Sequence, residues 1–173
     1  MTNTQLSLHP MKKIRIAKVT LNVGAGKNEE LLKKGLILFQ KLVPQTPVKT
    51  FTKKRIPGWG LRPGLAIGGK VTVRKNAEAL LRRLLVAKEN ILNASNFDTE
   101  GNFSFGVPEY IDIQGLDYDP ELKILGLEVA VTLERPGFRL KRRKVRSSPV
   151  GKSHRITKDE SIAFVRLMGV EVQ

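Results

Sequence analysis

Ten cationic side chains stand between Arg135 and Lys158 (Arg135, Arg139, Lys141, Arg142, Arg143, Lys144, Arg146, Lys152, Arg155 and Lys158), with no carboxylate among them. Such a stretch cannot neutralise itself, and the chemistry it suits is the binding of an external polyanion. Residues 41–75 repeat the pattern with nine cations and no acid: Lys41, Lys49, Lys53, Lys54, Arg55, Arg62, Lys70, Arg74 and Lys75. Within them Trp59 is flanked by Gly58 and Gly60, with Pro63 beyond, a composition that predicts a projecting loop. There the indole could stack on a base or ribose while Arg55 and Arg62 hold phosphates. The plain alternatives are a solvated charged face for the basic runs and a core position for Trp59.

Other constellations carry less. Gly24-Ala25-Gly26 before a helix invites a dinucleotide reading, but the third glycine of that motif falls at Glu29, whose carboxylate would repel pyrophosphate. Gly151-Lys152-Ser153 resembles the end of a phosphate-binding P-loop, yet the motif's first glycine is replaced by Arg146. Asp117, Asp119, Glu121 and Glu128 match calcium-loop offsets, with Leu122 where that loop needs its turn-making Gly. With no cysteine and only His9 and His154, thiolate chemistry is excluded and a zinc site is not expected. No reaction suggests itself, and no cofactor is expected.

The 173 residues carry a formal net charge of +15, and 40% of them are hydrophobic, enough to fill the core of one domain. Nine acids fall in residues 98–134 against the single cation Lys123, which predicts a bipolar molecule. The polar opening shows no signal-peptide core, and no window reaches a membrane span, so a cytoplasmic protein is expected.

The elements that must position these residues follow from periodicity. Val19, Leu21 and Val23 alternate with Lys18, Thr20 and Asn22, predicting a strand whose polar side carries Thr20 and Asn22. Asn28 is a helix N-cap candidate for the run Leu31 to Val43 that Pro44 stops. Strands are expected over 47–54 and 67–75, the latter turning Lys70, Thr72 and Arg74 outward, with a Gly/Pro loop between them. Asn76 is expected to cap a helix running on to Ile91 and Leu92. The acidic middle reads as loop with short extended pieces near Phe103 and Ile111, before a clear strand from Leu125 to Leu133. Thr157 and Glu160 form a capping box for a final helix over 158–168 that Gly169 closes.

The expected fold is α+β: a single antiparallel-rich sheet in the order β-α-β-β-α-β-α, helices packed on one face, and an exposed polar RNA-binding face. Residues 1–173 form one domain, with a flexible start over 1–10 and a basic extension over 135–158. Thr20, Asn22, Gln45, Lys49, Lys70, Thr72 and Arg74 would share the polar face, where hydroxyls, amides and cations suit 2′-hydroxyls, base edges and phosphates of structured RNA.

The run from Phe51 to Gly64, continuing through Ile67-Gly68-Gly69-Lys70-Val71-Thr72-Val73-Arg74, resembles the L-five family of large-subunit ribosomal proteins. Thr20-Leu21-Asn22-Val23-Gly24-Ala25-Gly26, Phe105-Gly106-Val107-Pro108-Glu109 and Gly126-Leu127-Glu128-Val129-Ala130-Val131-Thr132 extend the resemblance in order, and the extension from Arg135-Pro136-Gly137-Phe138-Arg139 resembles the archaeal and eukaryotic branch. The resemblance implies a ribosomal protein that binds 5S rRNA, seats it in the central protuberance, contacts large-subunit rRNA, reaches P-site tRNA and bridges to a small-subunit head protein of the S-thirteen family. By position, it assigns 5S rRNA to Asn22, Gln45 and Thr72 and P-site tRNA to the loop Lys54 to Arg62, with Arg55, Gly58 and Trp59. Arg139, Lys141, Arg142, Arg143, Lys144 and Arg146 are further candidates for RNA contact. The readings from other classes are a P-loop nucleotide hydrolase and a DNA-compacting protein.

Overall fold

The computed structural model describes residues 9–173; most of the expected flexible start, residues 1–8, lies outside the described residues. The central strand β1 (Arg15–Gly24) buries Val19, Leu21 and Val23 and leaves Lys18, Thr20 and Asn22 half-exposed, as alternation requires. It pairs antiparallel with β3 (Ala66–Val73) on one side and β6 (Leu127–Glu134) on the other. β2 (Val48–Phe51) and β5 (Phe103–Val107) complete a five-stranded antiparallel sheet in the order β2-β3-β1-β6-β5.

Helix α1 (Glu29–Leu42) begins where Asn28 Oδ1 accepts from the Glu30 and Leu31 amides at 3.0 and 3.1 Å. It buries Leu32, Leu38, Phe39 and Leu42 against the sheet. The approach is close because a Cβ on Gly35 would stand 3.0 Å from Val23 Cγ1, and one on Gly69 would stand 2.9 Å from Leu36 Cδ2. Helix α2 (Ala77–Val86) lays Leu80, Leu81, Leu84 and Leu85 into the same core, each fully buried leucine contributing about 1.5–3 kcal/mol.

Three local expectations are corrected. α2 stops at Val86 because Glu89 and Asn90 both take left-handed backbone at φ 57°, and Ile91–Leu92 become strand β4 instead of a further helical turn. Asn76 makes no side-chain cap, since it is itself left-handed at φ 55°. Phe103 to Val107 is a full strand, while Ile111 lies in a single 3-10 turn, Tyr110–Asp112.

After β6 come the short helix α3 (Arg139–Arg142) and then α4 (Lys158–Leu167), whose start is the Thr157/Glu160 capping box and beyond whose end lies Gly169 at φ 90°. Val165 carries α4 into the common core. A final strand, β7 (Glu171–Val172), pairs parallel with β4, an element absent from the expected order.

Candidate nucleic-acid interface

Side chains at directly opposed positions of an antiparallel ladder share a face. Thr20 lies opposite Thr72 and Ala130, and Ala130 lies opposite Ser104. Asn22 lies opposite Lys70 and Glu128, and Lys18 opposite Thr132. The polar positions of β1, β3, β6 and β5 therefore form one surface on the side away from α1 and α2, and all of them are exposed or half-exposed. Its chemistry is small hydroxyls with one amide and two ammonium groups. Glu128 adds a carboxylate, which accepts from Asn22 Nδ2 at 2.9 Å and so fixes the amide's orientation.

Three expected members of that surface lie elsewhere. Lys49 is opposite Gly69, which is opposite the buried Val23, so the register puts it on the helix side of the sheet, exposed because β2 is an edge strand. Arg74 follows the last residue of β3 and lines a groove with Lys13, Arg15, Arg82 and Met168 at the end of the sheet. Gln45 is half-buried in the turn after α1, with a buried Oε1 that has no hydrogen-bond partner among the described residues.

The glycine-rich loop is built as a small hairpin. Ile56 and Leu61 exchange both backbone hydrogen bonds at 3.0 Å, the one-turn helix Pro57–Trp59 fills the tip, and Gly60 takes φ 60°. Buried Leu61 anchors the root, and Thr52 Oγ1 donates to the carbonyls of Arg62 and Leu65. Lys54, Arg55, Gly58 and Arg62 are exposed, and Trp59 is 69% exposed, so it is not a core residue. Lys27, from the turn before α1, reaches the space beside Gly60 and adds a cation to the loop.

The basic extension is partly neutralised by acids from outside it, and this corrects the bipolar picture. Buried Glu134 accepts from Arg142 Nη2 at 2.7 Å and from Arg15 at 2.6 and 3.1 Å, while Lys141 Nζ stands 3.6 Å from Glu100. Arg135 is 4% exposed and donates to Glu160 at 2.7 Å and to the His154 and Arg155 carbonyls at 3.4 and 3.2 Å. Burial raises the Glu160 carboxyl's pKa, but the Thr157 amide and the Arg135 guanidinium outweigh it and hold the group below its ordinary value. Among the described residues, Arg139, Arg143, Lys144 and Arg146 are exposed and in no ion pair. Lys41 pairs with Asp119, and that contact raises the lysine and lowers the aspartate.

The weaker constellations come apart. The Ala25 and Gly26 amides both donate to the Ile67 carbonyl, at 2.8 and 3.0 Å, which leaves them unavailable to a pyrophosphate. Lys152–His154 is a single 3-10 turn without the preceding strand and following helix that a P-loop needs. Asp119 and Glu128 of the calcium-like set are engaged by Lys41 and Asn22. The His154 ring bonds the Pro136 carbonyl at 2.9 Å and packs against Phe138.

An open hydroxyl-, amide- and lysine-bearing sheet face, a cationic hairpin with a solvent-facing indole and a basic extension define a class: a basic α+β protein that presents an extended polar and cationic surface. Residues 9–62 match the model of the family "Ribosomal protein L5", and residues 66–164 match the model of the C-terminus of that same ribosomal family. The large ribosomal subunit protein uL5 of Nanoarchaeum equitans is 50% identical over 167 residues, covering 95% of this chain and 98% of that protein. The uL5 proteins of Methanococcus maripaludis (strain C6) and Sulfurisphaera tokodaii are 47% and 44% identical, covering 91% and 96% of this chain and 89% and 94% of their own lengths. The chain belongs to the ribosomal protein L5 family. It is accordingly a structural, non-enzymatic protein of the ribosome in the cytoplasm.

Proposed function

We propose that this ribosomal protein is a structural constituent of the large subunit that holds 5S rRNA on the open sheet face and seats it in the central protuberance. The observation that carries this reading is the cross-strand array in which the Thr20–Thr72 and Asn22–Lys70 pairs lie side by side on the face opposite α1 and α2. Hydroxyl and amide groups at fixed strand spacing suit 2′-hydroxyls and base edges, and Lys18 and Lys70 supply phosphate contacts. The hairpin carrying Arg55, Trp59 and Arg62 reaches P-site tRNA. Arg139, Arg143, Lys144 and Arg146 contact large-subunit rRNA, and a bridge runs to a small-subunit head protein of the S-thirteen family.

The test is 5S rRNA binding over a salt series. Thr72→Ala should weaken affinity with the log–log salt slope unchanged, whereas Lys70→Gln should reduce that slope by about 0.7–0.9. Equal slope changes for both variants would refute the division of labour on this face. A DNA-compacting role predicts instead that excess duplex DNA displaces the 5S rRNA at fixed salt.

A further inference from the structure

A recess opens beside the sheet face, where β1 begins and β6 ends. There residues 138–156 of the basic extension and the ends of β1 and β6 line an open pocket of about 560 Å³. We infer that this cavity is a pocket for a single unstacked nucleotide of the RNA bound on the sheet face. The inference rests on the sheet-face reading and adds a specific recognition element to it.

Three observations carry it. The cavity is continuous with the proposed interface, because Lys18 and Thr132 line it and also belong to the outer face one step along the strands from Thr20. Its lining combines the apolar Phe138, Val150 and Ile156 with the hydroxyls of Ser147 and Ser148 and the ion-paired carboxylates Glu100 and Glu134. Its size falls within the roughly 300–1,000 Å³ typical of sites for molecules of nucleotide dimensions.

The charge distribution adds the phosphate position. Lys141 and Arg142 on the lining are engaged by Glu100 and Glu134, whereas Lys18 and Arg155 have no carboxylate partner among the described residues and leave two cations for one phosphodiester. Single-stranded and bulged nucleotides are the parts of RNA whose bases can be splayed out into such a recess, stacked on an aromatic ring and read on their edges. Phe138 offers that ring, held at 5.9 Å from the His154 imidazole, which is itself tied to the Pro136 carbonyl. The Ser148 amide donates to the Leu140 carbonyl at 3.2 Å, so the hydroxyl-bearing wall is anchored to α3.

The experiment is nucleotide-resolution chemical probing of 5S rRNA bound to the full chain and to Ser148→Phe, which fills the cavity from its exposed wall without changing charge. All three proteins are first checked for equal thermal unfolding, with Arg155→Gln, at a lining residue off the sheet face, as the second variant. The expected result is one or two unpaired nucleotides protected by the unmodified chain and re-exposed in both variants, with the rest of the footprint intact. Arg155→Gln should also lower the salt slope by about 0.7–0.9, which Ser148→Phe should not.

A footprint identical in all three proteins overturns the pocket while leaving the sheet-face reading in place. Absence of any footprint removes both. Equilibrium dialysis with free nucleoside monophosphates separates the remaining source of the same chemistry: saturable micromolar uptake, abolished by Ser148→Phe and unaccompanied by a protected nucleotide in the RNA, makes the cavity a small-molecule site and overturns the assignment.

Discussion

Replacing Glu160 with Gln tests what the carboxylate contributes to the joint that ties the basic extension to α4. The carboxylate accepts from Thr157 N–H through Oε2 and from Arg135 through Oε1, and the amide's single oxygen keeps one of these; placed on the Thr157 N–H it preserves the capping box and leaves Arg135 without that acceptor. What is lost is the counter-charge to a guanidinium whose side chain is only 5% exposed. Leaving a buried cation unpaired costs about 3–5 kcal/mol where both partners are buried. Glu160 is 43% exposed, so its charge is screened by water and solvent can reach the freed guanidinium, and the expected loss is about 2 kcal/mol. For a chain of this size that is a fall in Tm of about 4–8 °C.

The pH dependence follows from the direction of the Glu160 shift. Its pKa lies below the ordinary 4.5 in the folded chain, so its contribution is fully present above 4.5 and is lost as pH falls through the lower folded value. Thermal unfolding of the parent and Glu160→Gln should therefore differ at pH 7 and converge toward pH 3. A difference that stayed constant across that range would show that the carboxylate's charge has no part in holding Arg135.

Two further outcomes are expected. Trp59→Ala should leave unfolding free energy within about 0.5 kcal/mol, since the ring is solvent-facing, yet weaken P-site tRNA retention on reconstituted ribosomes by about 1–3 kcal/mol; a large stability loss with normal tRNA retention would put the indole in a packing role. Glu134→Ala should release Arg15 and Arg142 together and make the segment 139–148 more susceptible to limited trypsin digestion, which is checked by mapping the first cleavage; unchanged cleavage kinetics would mean that these ion pairs do not pin the extension.

Local pattern carried much of this architecture. The alternation in β1, β3 and β6, the Asn28 cap and the Thr157/Glu160 box are written within a few residues of one another, and each formed where its spacing predicts. What escaped depends on partners distant in the chain. Phe103-Ser104-Phe105-Gly106-Val107 alternates perfectly, but within its acidic surroundings it read only as a short extended piece near Phe103, and its place as a full edge strand comes from pairing with β6. β4 and β7 have two residues each, too few for any period to register. The face occupied by Lys49 depends on cross-strand register with Gly69, beside the irregularity between Thr50 and Phe51. In the extension, a plain count of charge could not foresee that Arg135 is buried or that Glu134, Glu100 and Glu160 would engage Arg142, Lys141 and Arg135.

The parallel pairing of β4 with β7 bears on how the polypeptide matures as it is synthesised. Gln173 accepts from the Ala94 amide at 2.7 Å and donates to the Leu92 carbonyl at 3.0 Å, so residues near the middle find their backbone partners only among those translated some eighty positions later. A nascent chain stalled after α4 would already own its main sheet but would leave the Asn90, Leu92 and Ala94 backbone groups open to water or to a passing chaperone. Closure of this two-stranded ladder therefore has to wait until residues 171–173 have been synthesised.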